Sequence, residues 1–272
     1  MSPTRDVYYV SGNTGILAKN MGKALLSQFP GIDFAEQFFP FIRNVEEARS
    51  VLDKILEQSA GSRPLVFSTL LDQELNDVFN TPEIHFLNIC DGFLFRLEGL
   101  LHEKALRVPG SSRQHDDMMM SKRVNAIHFS ISHDDGTNLK DYNEADLILV
   151  GVSRTGKTPV SIYLATQMGI KTANYPLVEE DLNGLYLPPE VVKNRGRVAA
   201  ISTSARMLHA FRESRYKGSR YAQLATCIRE LDQAGKICRK YSLPVIVSDG
   251  RSIEETATQI IQELDLNVAT RF

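Results

Sequence analysis

The chain has 272 residues (30.5 kDa), of which 43% are hydrophobic, with a net charge of −2 and a pI near 6.3. That is enough apolar matter for one large α/β domain or two smaller ones, and it weighs against disorder. The near-neutral charge offers no basic field to draw the protein onto nucleic acid or an acidic membrane. Cys90, Cys227 and Cys238 form neither a disulfide framework nor a zinc site. They suit a reducing compartment. MSPTRDVYYVSG lacks the basic-then-apolar pattern of a signal peptide, and no run approaches the roughly 18 apolar residues of a membrane span. The expectation is a soluble, cytoplasmic protein.

Short β-rich runs alternate with helical patterns from the start, the signature of strand–helix–strand units. VYYVSG (7–12) reads as a strand and TGILAKNMGKALLSQF (14–29) as the helix after it. DFAEQFF (33–39) is a second strand, followed by a helix in which Asn44 and Glu47 have capping-box spacing. PLVFSTL (64–70) and IHFLNIC (84–90) are further strands, and FLFRLEGLLHEKAL (93–106) is helical. Composition changes across RVPGSSRQHDDMMMSKR, where Pro, Gly, Ser and clustered charge interrupt the apolar period. This predicts an N-terminal α/β domain over 1–106, a connector over 107–123 and a second domain over 124–272.

In the second part ADLILV leads into GVSRTGKTP; a helix over about 157–168, stopped by Gly169, and the strand IKTANYPLV (170–178) follow. DLNGLYLPPE reads as a loop and VAAIS (198–202) as a strand. Two helices then precede the strand PVIVSD (244–249), and a last helix starts at Ser252 with capping-box spacing to Glu255 and reaches about Leu266. The fold class is α/β: mostly parallel sheet layers with flanking helices, the C-terminal part carrying a P-loop.

GVSRTGKT satisfies G-x-x-x-x-G-K-[ST] through Gly151, Gly156, Lys157 and Thr158. Glycines let the backbone N–H groups of Val152, Ser153, Arg154 and Thr155 curl around phosphate oxygens while the following helix points its positive end at the same anion. Lys157 would neutralise bridging oxygens and Thr158 would place a hydroxyl on Mg²⁺. Pro159 is tolerable only in the first helical turn. An ordinary P-loop NTPase also needs a metal-holding acid on a later strand, and Asp249 is the one clean candidate, although a terminal Asp often serves only as a helix-entry residue.

His133, Asp134, Asp135 and Gly136 stand shortly upstream. Phosphoryl transfer to a hydroxyl needs a base and carboxylates for Mg²⁺, and this cluster supplies both; a solvated turn closing a helix explains it equally well. SGNTG (11–15) opens the first helix but lacks a lysine. Arg206, Arg212, Arg215, Lys217 and Arg220 suit phosphate recognition or, more commonly, a solvated helix face.

These residues together resemble a known family. GVSRTGKTPVSIYLA after ADLILV, the HDDG block in AIHFSISHDDG, VSGNTG, SRYA and the closing SIEETA are similar to the bifunctional kinase and pyrophosphorylase regulators of the dikinases that make phosphoenolpyruvate. The likeness covers essentially the whole chain. Gly156 and KTANYPLVEEDL look closer to the regulators of phosphoenolpyruvate synthase (pyruvate, water dikinase) than to those of pyruvate, phosphate dikinase, where Ser is usual in place of Gly156. The resemblance implies ADP-dependent phosphorylation of a threonine on the target and removal of that group by inorganic phosphate, releasing pyrophosphate. It implies that one of Asp134 and Asp135 acts as base while the other helps Thr158 hold Mg²⁺, and that His133 orients or shares the base role. It also suggests a homodimer. Gly12 stands where family members commonly carry Asp, so no acidic role transfers to that turn. The competing readings are the same activities on pyruvate, phosphate dikinase, a small-molecule P-loop kinase using Asp249, and a non-catalytic nucleotide-sensing partner protein.

Overall fold

The computed structural model describes residues 4–59, 61–108 and 117–266. The chain divides into two compact units, Met1–Gln114 and His115–Phe272. Residues 109–116 of the expected connector lie outside the described residues, whereas residues 117–123 are helical.

The first unit alternates β1 (Thr4–Val10), α1 (Ile16–Leu26), β2 (Asp33–Phe39), α2 (Val45–Gln58), β3 (Leu65–Ser68), α3 (Gln73–Phe79), β4 (His85–Asn88) and α4 (Asp91–Leu101). Its strands are all parallel, in the order β2-β1-β3-β4. β1 is central, so both its faces are buried: Val7 and Tyr9 pack toward α1, while Tyr8 and Val10 join the core beneath α2 and α3. The predicted cap of α2 is present, with the Glu47 N–H donating to Asn44 Oδ1 and the Glu47 carboxylate accepting from the Arg43 N–H. α4 is shorter than its apolar pattern predicts, because His102 takes a left-handed conformation and ends it.

The second unit runs α5 (Asp117–Ser132), β5 (Leu147–Gly151), α6 (Lys157–Met168), β6 (Thr172–Pro176), α7 (Glu179–Gly184), α8 (Pro189–Lys193), β7 (Val198–Ser202), α9 (Ala205–Arg215), α10 (Leu224–Tyr241), β8 (Val245–Val247) and α11 (Ile253–Glu263). DLNGLYLPPE, read as a loop, carries parts of α7 and α8; its prolines sit at the start of α8, where a missing N–H costs no helical bond. α6 ends at left-handed Gly169 as its sequence predicts, Pro159 lies in its first turn, and α11 has the predicted Ser252–Glu255 capping box.

The second sheet is also parallel, in the order β6-β5-β7-β8. β5 is fully buried, Ile148 and Val150 facing one core and Leu147 and Leu149 the other. This explains why it reads as an unbroken apolar run rather than an alternating one. From β5 the chain crosses to β6 on one side and continues to β7 on the other, so the loops after β5 and β7 part company. In open parallel sheets such a divergence leaves a crevice at the carboxyl ends of the strands.

Candidate functional site

The crevice of the second unit begins at Gly151, the last residue of β5. A Cβ there would lie 2.4 Å from the Ile201 carbonyl oxygen, and φ is 152°, so only glycine lets the strand turn out this close to β7. Arg154 (φ 76°) and Gly156 (φ 98°) then bend the loop into the N-terminus of α6.

Hydrogen bonding along this loop is one-sided. The Gly151 carbonyl accepts from Lys157 Nζ at 2.9 Å and the Val152 carbonyl accepts from the same nitrogen at 3.0 Å. Arg212 Nη2 donates to the Ser153 carbonyl at 3.1 Å, and Ser248 Oγ donates to the Thr155 carbonyl at 3.3 Å. By contrast, the N–H groups of Ser153, Arg154 and Gly156 meet no partner among the described residues. Carbonyls tied to the protein with N–H groups left over, at a helix N-terminus carrying roughly half a positive charge, make the kind of concavity that suits an anion. Val152 contributes only backbone here, since its side chain is core.

Lys157 is the first residue of α6 and is 6% exposed. Burial pushes its ammonium down to about 8; Asp135 and Asp134 oppose that shift, while Arg212 and Arg154 add to it. The lysine is therefore held among charges and is responsive to any anion that enters.

α5 ends at Ser132, and His133–Gly136 form the turn after it. Asp135 (φ 53°) and Gly136 (φ 77°) take left-handed conformations there, which Asp tolerates better than most residues. What brings the turn to the loop is Asn174 on β6. Its N–H donates to the His133 carbonyl at 2.9 Å, its carbonyl accepts from the Gly136 N–H at 2.8 Å and from the Tyr142 hydroxyl at 3.0 Å, and its side-chain amide donates to Asp134 Oδ1 at 2.6 Å. The Thr158 hydroxyl donates to the same carboxylate at 3.0 Å. Asp135 lines a cavity of about 390 Å³ together with Arg154, Lys157, Thr158, Phe211 and Arg215.

The structure thus brings together Asp134, Asp135, Lys157, Thr158 and the loop. His133 is placed differently: its ring is buried, stacks on Phe129 at 3.8 Å, and donates from Nδ1 to the Phe129 carbonyl at 2.8 Å, with Nε2 3.9 Å from Asp141. Asp249 accepts from the Thr203 hydroxyl and, at 2.8 Å, from the Ser204 N–H, tying the ends of β7 and β8 together at the start of α9. α11, the helix that follows Asp249, is capped by Ser252 instead. Of the cationic run, Arg215 faces the cavity and Arg212 is fully buried behind the loop, whereas Arg206, Lys217 and Arg220 do not line it. Asn174, Phe211 and Ser248 were not singled out by sequence; each acts through a distant strand or helix that no local motif marks. In the first unit the SGNTG turn is tied to the end of β3, with Ser11 Oγ accepting from the Thr69 hydroxyl at 2.9 Å and from the Asn13 N–H at 3.2 Å.

An arrangement of this kind can grip an anion at a helix terminus and set carboxylates against it. The sequence matches the kinase/pyrophosphorylase family over residues 7–261. A protein of Desulfotalea psychrophila, whose name describes it as a phosphoenolpyruvate synthase regulatory protein, is 56% identical over 97% of both chains. Relatives bearing the same name in Neisseria meningitidis (37% identical, 98% of both chains) and Laribacter hongkongensis (38%, 98% of this chain and 99% of the other) are similar along their whole length. The chain belongs to the kinase/pyrophosphorylase family, and so is a phosphotransferase enzyme. Among the described residues no helix is long and apolar enough to cross a membrane.

Proposed function

We propose that this protein is the bifunctional regulator of phosphoenolpyruvate synthase. It phosphorylates a threonine of that enzyme with ADP, and it removes the group with inorganic phosphate. The observation that carries the reading is the one-sided loop: tied carbonyls and unpaired N–H groups of Ser153, Arg154 and Gly156, facing Asp135 across one cavity. Full-length similarity to relatives named for regulation of phosphoenolpyruvate synthase supports the choice of target.

In the forward step the threonine oxygen attacks the β-phosphorus of ADP, the bond from that phosphorus to the bridging oxygen of the α-phosphate breaks, and AMP leaves with the electron pair. In reverse, an oxygen of inorganic phosphate attacks the phosphothreonine, the bond from phosphorus to the threonine oxygen breaks, and pyrophosphate leaves as the threonine oxygen regains a proton. Lys157 and the loop N–H groups hold the anions in both directions.

The two carboxylates divide the remaining work. Asp134 already accepts from Thr158 and Asn174, which fixes its direction and uses part of its capacity as a base. Asp135 lines the cavity and takes the threonine proton, returning it in the reverse step. The Thr158 hydroxyl and the Asp134 carboxylate, 3.0 Å apart, are hard oxygen donors, and a pair of this kind suits Mg²⁺, which keeps several waters and shares substrate phosphates. No group of three or more His, Cys, Asp or Glu among the described residues is assembled to hold a metal by itself. Bound there, Mg²⁺ would neutralise phosphate charge. His133 serves through its main chain, presenting its carbonyl to Asn174.

Asp135→Asn and Asp134→Asn, assayed separately in both directions, test the assignment. The expected result is a loss of roughly 100-fold or more for Asp135→Asn in each direction. Near-wild-type rates in both variants would remove the turn from the mechanism.

A further inference from the structure

Arg212 has no solvent exposure, yet its guanidinium reaches three separate parts of the second unit. Nη2 donates to the Ser153 carbonyl at 3.1 Å and to the Glu230 carboxylate of α10 at 2.7 Å; Nη1 donates to the Tyr221 carbonyl at 3.2 Å, and Cζ lies over the Tyr221 ring, 3.9 Å from its centroid. A buried guanidinium is retained at large desolvation cost, and here Glu230 offsets its charge. A trans peptide sends its C=O and the following N–H in opposite directions, and there is no cis bond among the described residues. Pinning the Ser153 carbonyl backward to Arg212 therefore aims the Arg154 N–H forward, away from Arg212.

We propose that the Arg212–Glu230 pair is a positioning device for the anion loop, holding the Ser153–Arg154 peptide so that the Arg154 N–H faces the incoming phosphate. Arg212 touches no substrate on this account. It acts on the loop from behind, and Glu230 keeps its fork in the orientation that reaches Ser153. The proposal rests on the reading of residues 151–158 as the anion site.

The test is titration of the full-length protein with inorganic pyrophosphate, followed by calorimetry and by the backbone amide resonance of Arg154. In the wild type pyrophosphate binds and displaces that resonance. In Arg212→Met the affinity falls at least 10-fold and the displacement disappears, although the folded protein retains its other amide signals. Glu230→Gln, which keeps shape and loses the charge, weakens binding about threefold, and it decides the matter if Arg212→Met does not fold. A purely structural role would lower the thermal midpoint while folded protein still bound pyrophosphate with wild-type affinity and the same Arg154 response. That result, in Arg212→Met or in Glu230→Gln where only the latter folds, overturns the proposal alone. A wild type that does not bind pyrophosphate overturns the anion-site reading, and the positioning role with it.

Discussion

Asn174 donates its side-chain amide to the Asp134 carboxylate at 2.6 Å while its own backbone holds both ends of the His133–Gly136 turn. A single residue of the edge strand β6 thus sets the position of the acidic turn relative to the loop. Truncating its side chain leaves the backbone bonds and removes the hold on Asp134 together with a 3.1 Å bond to the Ser161 hydroxyl of α6. Asn174→Ala is expected to lower kcat roughly 10- to 100-fold in both directions with little change in pyrophosphate affinity, as read by steady-state kinetics and calorimetry.

Gly151 is constrained by a neighbour as well as by its own φ. Alanine would place a methyl group 2.4 Å from the Ile201 carbonyl oxygen, and β7 would have to move away from β5. Gly151→Ala should cost about 1–3 kcal/mol in urea denaturation and weaken pyrophosphate binding. Gly156→Ala meets no atom within 4 Å, so its cost is conformational alone and smaller.

Lys157 gives anion binding a pH limit. Its ammonium is pushed down to about 8 in the free protein, and a bound anion stabilises the charged form. Binding therefore takes up a proton above that value, and affinity present below it is lost as pH rises through it. Lys157→Met should bind pyrophosphate about 10- to 100-fold more weakly at neutral pH without divalent metal. The ratio of wild-type to variant affinity, in which the ionisation of pyrophosphate itself cancels, should hold from pH 6 to 7.5 and then fall.

Asp249 tests a structural role. Hydrogen bonds from Ser204 and Thr203 hold its carboxyl below the usual range, so its contribution to stability is present above the unfolded value of 3.8 and is lost as pH falls through the folded value. Asp249→Asn should cost about 1 kcal/mol at pH 7 by urea denaturation, and the gap to wild type should narrow in acid. A large loss of transfer activity at saturating substrate would instead revive Asp249 as a metal ligand.

Much of the fold was legible because local chemistry settles it. ADLILV is apolar throughout because β5 is covered on both faces, and Gly169 and Ser252 mark helix ends by conformation and side-chain bonding. The loop and the acidic turn were visible as short motifs. Their mutual placement was not, because it depends on Asn174, 40 residues from Asp134 in sequence, whose pattern is that of an ordinary strand residue. Arg212 was hidden for a similar reason: its charged run resembles a solvated helix face, and only tertiary packing reveals that one member is fully buried. His133 shows the converse. Its neighbourhood with two acids suggested chemistry, while its ring bonds the backbone of its own helix.

The proposed activity is reversible transfer to a threonine of another enzyme. Its most direct test mixes the purified protein with phosphoenolpyruvate synthase and ADP, then follows phosphothreonine and AMP, and afterwards adds inorganic phosphate and follows pyrophosphate. Phosphothreonine and AMP are expected in equal amounts, then loss of the phosphothreonine with release of pyrophosphate. Transfer supported only by ATP, or a synthase that stays unmodified, would contradict this activity.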